Sequence, residues 1–308
     1  MAKWTVDDMP DLSGKTIIVT GSNSGIGYEA ALGFAGKHAT VVLACRSMEK
    51  ANAAVAQIKS AHPDASVAAM ELDLASLASV RKFADEFRQR YGKLDILCNN
   101  AGVMAIPYRK TADGFEMQIG TNHFGHFALT GLLIDLLLAS DGARVVHVAS
   151  GAHRMGSIRF DDLNWEHGYR KWPAYGQSKL ANLLFCLELH RRLEKAGAKV
   201  LSVACHPGYA ATNLQAAGPK MAGSSIMESV MAVANSLFSQ NAAMGALPTL
   251  YAAVSPEVHG NDYIGPDGLA ELWGYPTTVK PSKAARDGAV ASRLWEVSEK
   301  LTGVSYLF

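Results

Sequence analysis

The chain has 308 residues and a net charge of +1, so its overall charge favours neither nucleic acid nor an anionic membrane as a partner. Its longest apolar stretch, FGHFALTGLLIDLLLA from Phe124, is too short to span a bilayer and contains a histidine and an aspartate. The amino terminus, MAKWTVDDMPDLSGK, lacks the apolar core of a signal peptide. We therefore expect a cytoplasmic protein without a stable membrane anchor, and a buried helix at the long apolar stretch.

Neither the cysteines nor the histidines follow a metal-binding pattern. The four cysteines lie far apart and form no C-x-x-C motif, so we expect reduced core thiols rather than disulfides or a zinc site. The histidines lack ligand spacing such as H-E-x-x-H, and the sequence therefore predicts no metal. For His153, contact with a small-molecule substrate remains an alternative to packing.

Short apolar runs alternate with longer segments of helical period over roughly the first two hundred residues. The runs are TIIVT, TVVLAC, SVAAMEL, LDILCNN, RVVHVAS and VLSVACH. They are rich in β-branched residues, as buried strands are, and the alternation predicts βαβ units with a parallel sheet. Because the runs lack polar alternation, helices should cover both faces. The predicted fold class is α/β, a doubly wound parallel sheet.

A glycine-rich loop, TGSNSGIG, follows the first predicted strand and precedes the helical segment YEAALGFAG. Such a turn lets the backbone approach a pyrophosphate, while the helix N-terminus offers unpaired N–H groups. The strand before the loop and the helix after it are the context expected of a Rossmann dinucleotide site. The predicted pyrophosphate contacts are Gly21, Ser22, Asn23, Ser24, Gly25, Ile26 and Gly27.

The end of the second predicted strand, ACRS, indicates which dinucleotide is bound. An acidic residue there would bind a ribose 2′-hydroxyl and repel a 2′-phosphate, but Cys45 occupies the position and Arg46 follows it. A guanidinium suits a phosphate and can also stack on adenine. The sequence therefore predicts NADP(H), with Arg46 and Ser47 as phosphate contacts; that Arg46 merely ends the strand is the alternative.

Further motifs occur along the chain in the order known from one enzyme family. They are Asp73 in MELDLAS, NNAG at 99–102, Asn122 in TNHFGHF, Ser150 after RVVHVA, Tyr175 with Lys179, and HPGYAAT at 206–212. With the glycine spacing, this run covers about two thirds of the chain and resembles the short-chain dehydrogenases/reductases. The resemblance implies a nicotinamide-dependent oxidoreductase.

The resemblance also implies contacts with the rest of the cofactor. Asp73 would hold the adenine amino group, with a helix cap as the alternative. Asn99 and Ala101 would form the turn beside the cofactor, Gly102 would be structural, and Thr212 would bind the nicotinamide carboxamide. The additional expected cofactor contacts are Asp73, Leu74, Asn99, Ala101, Tyr175, Lys179, Pro207, Gly208 and Thr212.

Tyr175 and Lys179 are four residues apart, so on a helix they lie on the same face. Hydride transfer to a carbonyl leaves an alkoxide, which needs a proton donor. The resemblance implies that Tyr175 is this general acid or base and that Lys179 also holds the nicotinamide ribose. Beside the ammonium and the positive oxidised nicotinamide, the phenol pKa should fall from about 10 towards the working pH.

Two more residues complete the implied catalytic tetrad. Ser150 ends a predicted strand, where parallel sheets place ligand-binding groups, and it would bond the substrate oxygen. Asn122 would hold a water that connects Lys179 to solvent. The structural alternatives are a turn-forming serine and a helix-start asparagine.

The segment between Ser150 and Tyr175 has twenty-four residues, which is longer than in many relatives. With AHRMG before it and SKLANLLF after it, this segment resembles the retinol dehydrogenases and the WW-domain oxidoreductase. From the sequence we expect neither a membrane-anchoring segment nor WW domains. The expected substrate is therefore stated more broadly, as a lipophilic aldehyde or ketone and the corresponding alcohol.

We expect one domain over residues 1–308, with a dinucleotide-binding and catalytic core at 14–206 and a substrate-binding lid with C-terminal elements at 207–308. Within the second part, residues 209–247 are rich in Ala, Gly, Ser and Met. This composition fits either a helical hairpin or a flexible wall over a lipophilic substrate. The segment LLFCLELH from Leu183 could belong to the core or to a homo-oligomer interface.

Two other functions are compatible with parts of this pattern. An epimerase or dehydratase of the extended branch would share the fold, but the glycine spacing and the short part after Pro207 argue against it. A non-enzymatic NADP(H) sensor would also share the fold. Such sensors tend to lack the tyrosine or the lysine, whereas both are present here.

Overall fold

A parallel sheet forms the centre of the computed structural model, which describes residues 3–209 and 240–308. The strand order is β3-β2-β1-β4-β5-β6-β7-β8. Neighbours from β3 to β7 pair in parallel, and β8 is antiparallel to β7. The strands are β1 (Thr16–Thr20), β2 (Thr40–Cys45), β3 (Val67–Glu71), β4 (Ile96–Asn99), β5 (Arg144–Val148), β6 (Leu201–Cys205), β7 (Tyr263–Pro266) and β8 (Pro276–Thr278).

Each of the six apolar runs forms a strand, so the predicted fold class is confirmed. The sequence order of the strands reverses between β1 and β4, and this switch point leaves a crevice at the carboxyl ends of both strands. Sequence analysis missed β7 and β8. Their sequences, YIGP and PTT, are short and contain proline, which is typical of turns and sheet edges.

Helices cover both faces of the sheet. They are α1 (Gly25–Gly36), α2 (Met48–Ala61), α3 (Leu77–Arg90), α4 (Met117–Ile119), α5 (Gly125–Leu132), α6 (Ile134–Leu138), α7 (Lys171–Lys195), α8 (Ala242–Val254) and α9 (Gly288–Thr302). Successive side chains of β1 point to opposite faces. Ile17 and Val19 pack with Phe34 of α1, whereas Ile18 packs with Phe87 of α3.

The long apolar stretch is not the single buried helix that its sequence suggested. A π-helical turn spans Gly120–Phe124, and α5 then ends before Leu133, where φ is −113° and ψ is 7°. The Arg88 side chain from α3 donates to the Leu132 carbonyl and to Asp135 Oδ2, the latter at 2.7 Å. In a continuous helix the Leu132 carbonyl would accept from a backbone N–H of the next turn, and here the guanidinium is the donor instead.

The C-terminal helix α9 packs over α5 and α7. The Trp295 ring lies 5.1 Å from the Phe127 ring, 5.9 Å from the Phe185 ring and 4.5 Å from the Tyr306 ring. Within LLFCLELH, Phe185 and Leu189 are buried in the same apolar cluster as Trp295. The inner face of this segment therefore belongs to the core of its own chain.

No helix in the described ranges has both the length and the apolar character needed to cross a membrane.

We expect Trp295→Ala to lower the free energy of unfolding by about 3–5 kcal/mol, because it removes a buried indole from this aromatic cluster. Leu307→Ala is the matched control, since the Leu307 side chain is 84% exposed. Urea unfolding of both variants measures the difference. A loss below about 1 kcal/mol for Trp295→Ala would mean that α9 contributes little to the core.

Candidate active site

Four predicted catalytic residues meet near the carboxyl ends of the central strands. Tyr175 and Lys179 lie in the first turns of α7, Ser150 follows β5, and Asn122 lies in the π-helical turn. Tyr175 is 4% exposed and Lys179 is 3% exposed, while Asn122 is fully buried. The structure thus brings residues from three distant parts of the sequence into one site.

The Ser150 side chain lies next to the Tyr175 phenol. Burial raises the pKa of Tyr175 to about 12, and the interaction with Ser150 opposes the rise. Among the protein's own groups burial has the larger effect, and the decrease expected with the oxidised nicotinamide bound stays a prediction. Desolvation of the phenolate outweighs the hydroxyl contact.

Lys179 lies beneath the phenol and is anchored by the backbone. Its Nζ donates to the Val148 carbonyl at 2.9 Å and lies 5.9 Å from the centre of the Tyr175 ring. Burial lowers the pKa of Lys179 to about 8. The ammonium therefore predominates at neutral pH, and it can release its proton within the physiological range.

The Asn122 side chain connects the π-helical turn to neighbouring segments. Its Oδ1 accepts from Val103 N at 2.8 Å, and its Nδ2 donates to the Val103 carbonyl and to Ser178 Oγ, both at 2.9 Å. Asn122 is therefore not a helix-start residue. A Cβ on Gly102 would lie 3.0 Å from Asn122 Oδ1 and 3.6 Å from Lys179 Nζ. Glycine at this position therefore leaves room for both side chains beside it.

The glycine-rich loop folds as a close-fitting turn before α1. Gly21 and Gly25 have φ of 65° and 59°, in the left-handed region that favours glycine. A Cβ on Gly27 would lie 2.5 Å from Asn100 Nδ2. Ser24 is the N-cap of α1 without a capping side-chain hydrogen bond, which leaves N–H groups of the first helical turn for an anion.

The other predicted contacts in this loop differ in their burial and in their hydrogen bonds within the protein. Ser22 is buried, and its hydroxyl donates to the Val19 carbonyl at 2.7 Å. That hydroxyl is therefore already used within the protein. Asn23 and Ile26 are half-buried on the loop.

Sequence analysis missed Thr20 and Asn100 as residues that shape this loop. Thr20 Oγ1 accepts from the backbone N–H groups of Asn100 and Ala101, both at 2.9 Å. Asn100 Nδ2 donates in return to the Thr20 carbonyl at 2.7 Å. Asn99 was predicted as a cofactor contact, but its side chain points towards α5. Its Nδ2 donates to Thr130 Oγ1 at 3.0 Å. Successive side chains of a strand point in opposite directions. This alternation in NNAG could have predicted that the side chains of Asn99 and Asn100 point to different sides.

Cys45 is the last residue of β2, and Arg46 and Ser47 follow it. Cys45 is buried, with its Sγ 3.7 Å from Ser22 Oγ, while the Arg46 side chain is exposed. Ser47 is the N-cap of α2 and accepts from Lys50 N at 3.4 Å. The guanidinium is thus accessible next to a helix N-terminus.

Asp73 and Leu74 follow β3. Asp73 Oδ1 accepts from Ala75 N at 3.0 Å, and the N-cap of α3 is Ser76. The helix-cap alternative for Asp73 is therefore wrong. Leu74 is buried, and its carbonyl lies so close to Gly125 that a Cβ there would be 2.4 Å away.

The turn after β6 carries two further predicted contacts. Gly208 has φ of 64°, and a Cβ on it would lie 2.5 Å from the Leu272 carbonyl oxygen. Gln240 Nε2 donates to the Pro207 carbonyl at 2.7 Å. Thr212 and residues 210–239 lie outside the described residues, so the hairpin and wall alternatives for this segment stay open.

His153 is fully engaged in hydrogen bonds within the protein. Its Nδ1 lies 2.7 Å from the Ser150 carbonyl oxygen, and its Nε2 accepts from Ser282 N at 3.1 Å. Because a backbone N–H must donate to Nε2, Nδ1 carries the proton. The substrate-contact alternative for His153 is therefore wrong.

A family model described as short chain dehydrogenase matches residues 15–222. The chain belongs to the short-chain dehydrogenase family. It is 43% identical over 297 residues to retinol dehydrogenase 13 of Homo sapiens, covering 95% of this chain and 86% of that protein. It is 40% identical over 308 residues to retinol dehydrogenase 14 of Homo sapiens, covering 95% of this chain and 88% of that protein.

Among solved structures, an uncharacterized protein from Mycobacterium Paratuberculosis matches with a TM-score of 0.82 and 41% identity, covering 100% of both chains. The resemblance predicted from the motifs is thus confirmed. Membership makes this protein an oxidoreductase acting on CH–OH groups with a nicotinamide cofactor. The glycine turn and the uncapped start of α1 fit such a cofactor.

We expect Gly27→Ala to raise the dissociation constant of the reduced nicotinamide cofactor by about tenfold or more. The added Cβ would lie 2.5 Å from Asn100 Nδ2 and 2.7 Å from the Gly21 carbonyl oxygen, so the loop must move. Fluorescence titration measures the constant. Gly92→Ala is the control, because a Cβ there meets nothing within 4 Å. Equal affinities for both variants would contradict a role for the tight turn.

Proposed function

We propose that this protein is an NADP(H)-dependent oxidoreductase that interconverts a lipophilic aldehyde or ketone and the corresponding alcohol. The observation that carries the proposal is the buried Tyr175 phenol, which lies next to the Ser150 side chain and the Lys179 ammonium. The retinol dehydrogenases among the relatives support a lipophilic alcohol as one of the two reactants.

Tyr175 acts as the general acid in this proposal. When bound, the nicotinamide supplies or accepts the hydride. The phenol donates its proton to the oxygen on which negative charge develops, and Ser150 gives that oxygen a second hydrogen bond. A phenol with a pKa raised to about 12 keeps its proton at neutral pH, which is the form that carbonyl reduction uses.

Lys179 and Asn122 support the proton transfer. The ammonium stabilises the phenolate electrostatically after the proton has left, and it also holds the nicotinamide ribose. Asn122 holds a water between Lys179 and solvent. The approach of the two side chains across Gly102 supports this path.

Cofactor binding follows the crevice at the switch point. The proposed pyrophosphate site is the loop before α1, and Asp73 with Leu74 holds the adenine. Ala101 together with Pro207, Gly208 and Thr212 holds the nicotinamide half. The roles of these residues remain part of the proposal.

Exposed apolar side chains beside the site support a lipophilic substrate. Trp172 is 42% exposed and its ring lies 6.2 Å from that of Tyr175, while Met155 is 58% exposed one turn beyond Ser150. On the other side, Leu272 and Trp273 are 40% and 41% exposed next to the Gly208 turn. An aliphatic or ring-containing carbonyl compound would bury these surfaces on binding.

We expect Tyr175→Phe to lower the turnover number for carbonyl reduction by about 10²–10⁴-fold, because the substitution removes the proton donor and little else. The assay follows NADPH absorbance with a panel of lipophilic aldehydes and ketones that includes retinal. NADPH affinity, measured by fluorescence, should stay close to that of the wild type.

Tyr91→Phe is the matched control, because Tyr91 follows α3 and its ring stacks on Phe87. Retention of most activity by Tyr175→Phe would refute the acid role. NADPH binding without consumption across the panel by the wild type would favour a sensor.

We expect Arg46→Asp to change the cofactor preference from NADPH towards NADH. The carboxylate would repel the 2′-phosphate and accept a bond from a 2′-hydroxyl, so the NADPH/NADH ratio of kcat/KM should fall by about a hundredfold or more. Lys59→Asp makes the same charge change in the last turn of α2. An unchanged ratio in Arg46→Asp would show that Arg46 does not bind the phosphate.

A further inference from the structure

We propose that Glu271 is a positioning residue that joins the turn bearing Ser150 to the turn bearing Pro207 and Gly208. The inference rests on the proposed function, which gives the first turn to the substrate oxygen and the second to the nicotinamide side. Glu271 itself lies outside both turns, between β7 and β8.

The backbone around Glu271 is held in an unfavourable conformation. Ala270 and Glu271 have φ of 53° and 59°, which places two consecutive non-glycine residues in the left-handed region. Such strain persists only where surrounding contacts determine the conformation, and it is concentrated at functional sites. Here Gly268 N donates to the Trp273 carbonyl at 2.8 Å, which closes the turn at its base.

The first connection links Glu271, through Arg154, to the turn that begins at Ser150. Arg154 Nη2 lies 3.1 Å and 3.3 Å from the two carboxylate oxygens and also donates to the Lys280 carbonyl at 3.2 Å. Arg154 lies in the 3-10 turn Gly151–Met155, for which Ser150 is the N-cap. Fixing Arg154 therefore fixes the short turn that begins at Ser150.

The second connection reaches the turn after β6. His206 Nε2 lies 3.1 Å from Glu271 Oε2, and the His206 ring is buried. Its Nδ1 accepts from Gly208 N at 3.3 Å, so Nε2 carries the ring proton and lies beside the carboxylate, although its N–H lacks the alignment of a hydrogen bond. The backbone strengthens this connection, because Tyr209 N donates to the Leu272 carbonyl at 2.7 Å.

The carboxylate thus receives a cationic or donor group from each turn. The His206 contact, with a smaller effect of Arg154, lowers the pKa of Glu271 against the opposing effect of burial. The Tyr263 ring fills the space between the connections, 5.0 Å from the His206 ring and 5.6 Å from the His153 ring. An ion pair with a half-exposed Arg154 contributes little to global stability, so the arrangement acts mainly on local geometry.

The decisive experiment combines Glu271→Ala with Ser150→Ala in the full chain. We expect Glu271→Ala alone to lower kcat by about tenfold, since small displacements of a reacting group have effects of this size. Because Glu271 also contacts the turn of Pro207 and Gly208, part of this loss should remain in the Ser150→Ala background, but it should be clearly smaller than tenfold if Glu271 acts through Ser150. An equal loss in both backgrounds would overturn the connection to the Ser150 turn.

A second measurement does not need turnover. Hydrogen exchange followed by mass spectrometry should become faster in peptides covering 151–156 and 206–209 of Glu271→Ala, because both turns lose their connection. Glu296→Ala, an exposed position on α9, is the control and should leave both peptides unchanged. Unchanged exchange in Glu271→Ala would overturn the positioning role.

The two measurements separate this inference from the proposed function. If the wild type consumes no NADPH with any carbonyl compound but exchange accelerates in Glu271→Ala, the proposed function fails and the connection between the turns stands. If the wild type is active and exchange does not change, the proposed function stands and the role of Glu271 fails.

Discussion

One buried hydroxyl connects the parts of the site that must lie together. Thr20 Oγ1 accepts two backbone N–H groups from the turn after β4 and lies 2.9 Å from His126 Nε2. His126 Nδ1 lies 3.0 Å from the Asn122 carbonyl oxygen and must donate to it, so Nε2 accepts from Thr20. The end of β1 is thereby joined both to the turn after β4 and to the turn that carries Asn122.

A neutral imidazole makes this connection. A protonated ring would offer Thr20 no acceptor, and the hydroxyl would be left to donate only to the Cys98 carbonyl, which lies 3.2 Å away. Burial lowers the pKa of His126 to about 4, so the ring keeps one donor and one acceptor at neutral pH. Burial also has opposite effects on the pKa values of Tyr175 and Lys179. It raises the phenol pKa and lowers the ammonium pKa towards neutrality.

The sequence predicted what depends on local pattern. Six strands follow from apolar runs, and the glycine loop follows from its position between a strand and a helix. The meeting of Ser150, Tyr175 and Lys179 was predicted only through resemblance, because no periodicity relates a strand end to a helix one segment later.

What escaped prediction depends on contacts distant in sequence. The break in the apolar stretch is made by Arg88 from α3, and Glu271 faces partners more than sixty residues away. The rise that burial causes in the Tyr175 pKa escaped prediction for a related reason. Spacing on a helix gives the distance to Lys179, but the burial that governs the phenol comes from the whole fold.

The packing of α9 has a consequence for folding during synthesis. Tyr306 OH donates to the Phe127 carbonyl at 2.7 Å, and His123 Nε2 lies 2.9 Å from Ser298 Oγ, so the turn holding Asn122 is supported from behind by the last part of the chain. The apolar side chains of α5 and α7 are made long before this cover exists. A nascent chain would therefore expose Phe127 and Phe185 until Trp295 and Tyr306 have been synthesised, and this interval is when chaperone binding would protect it from aggregation.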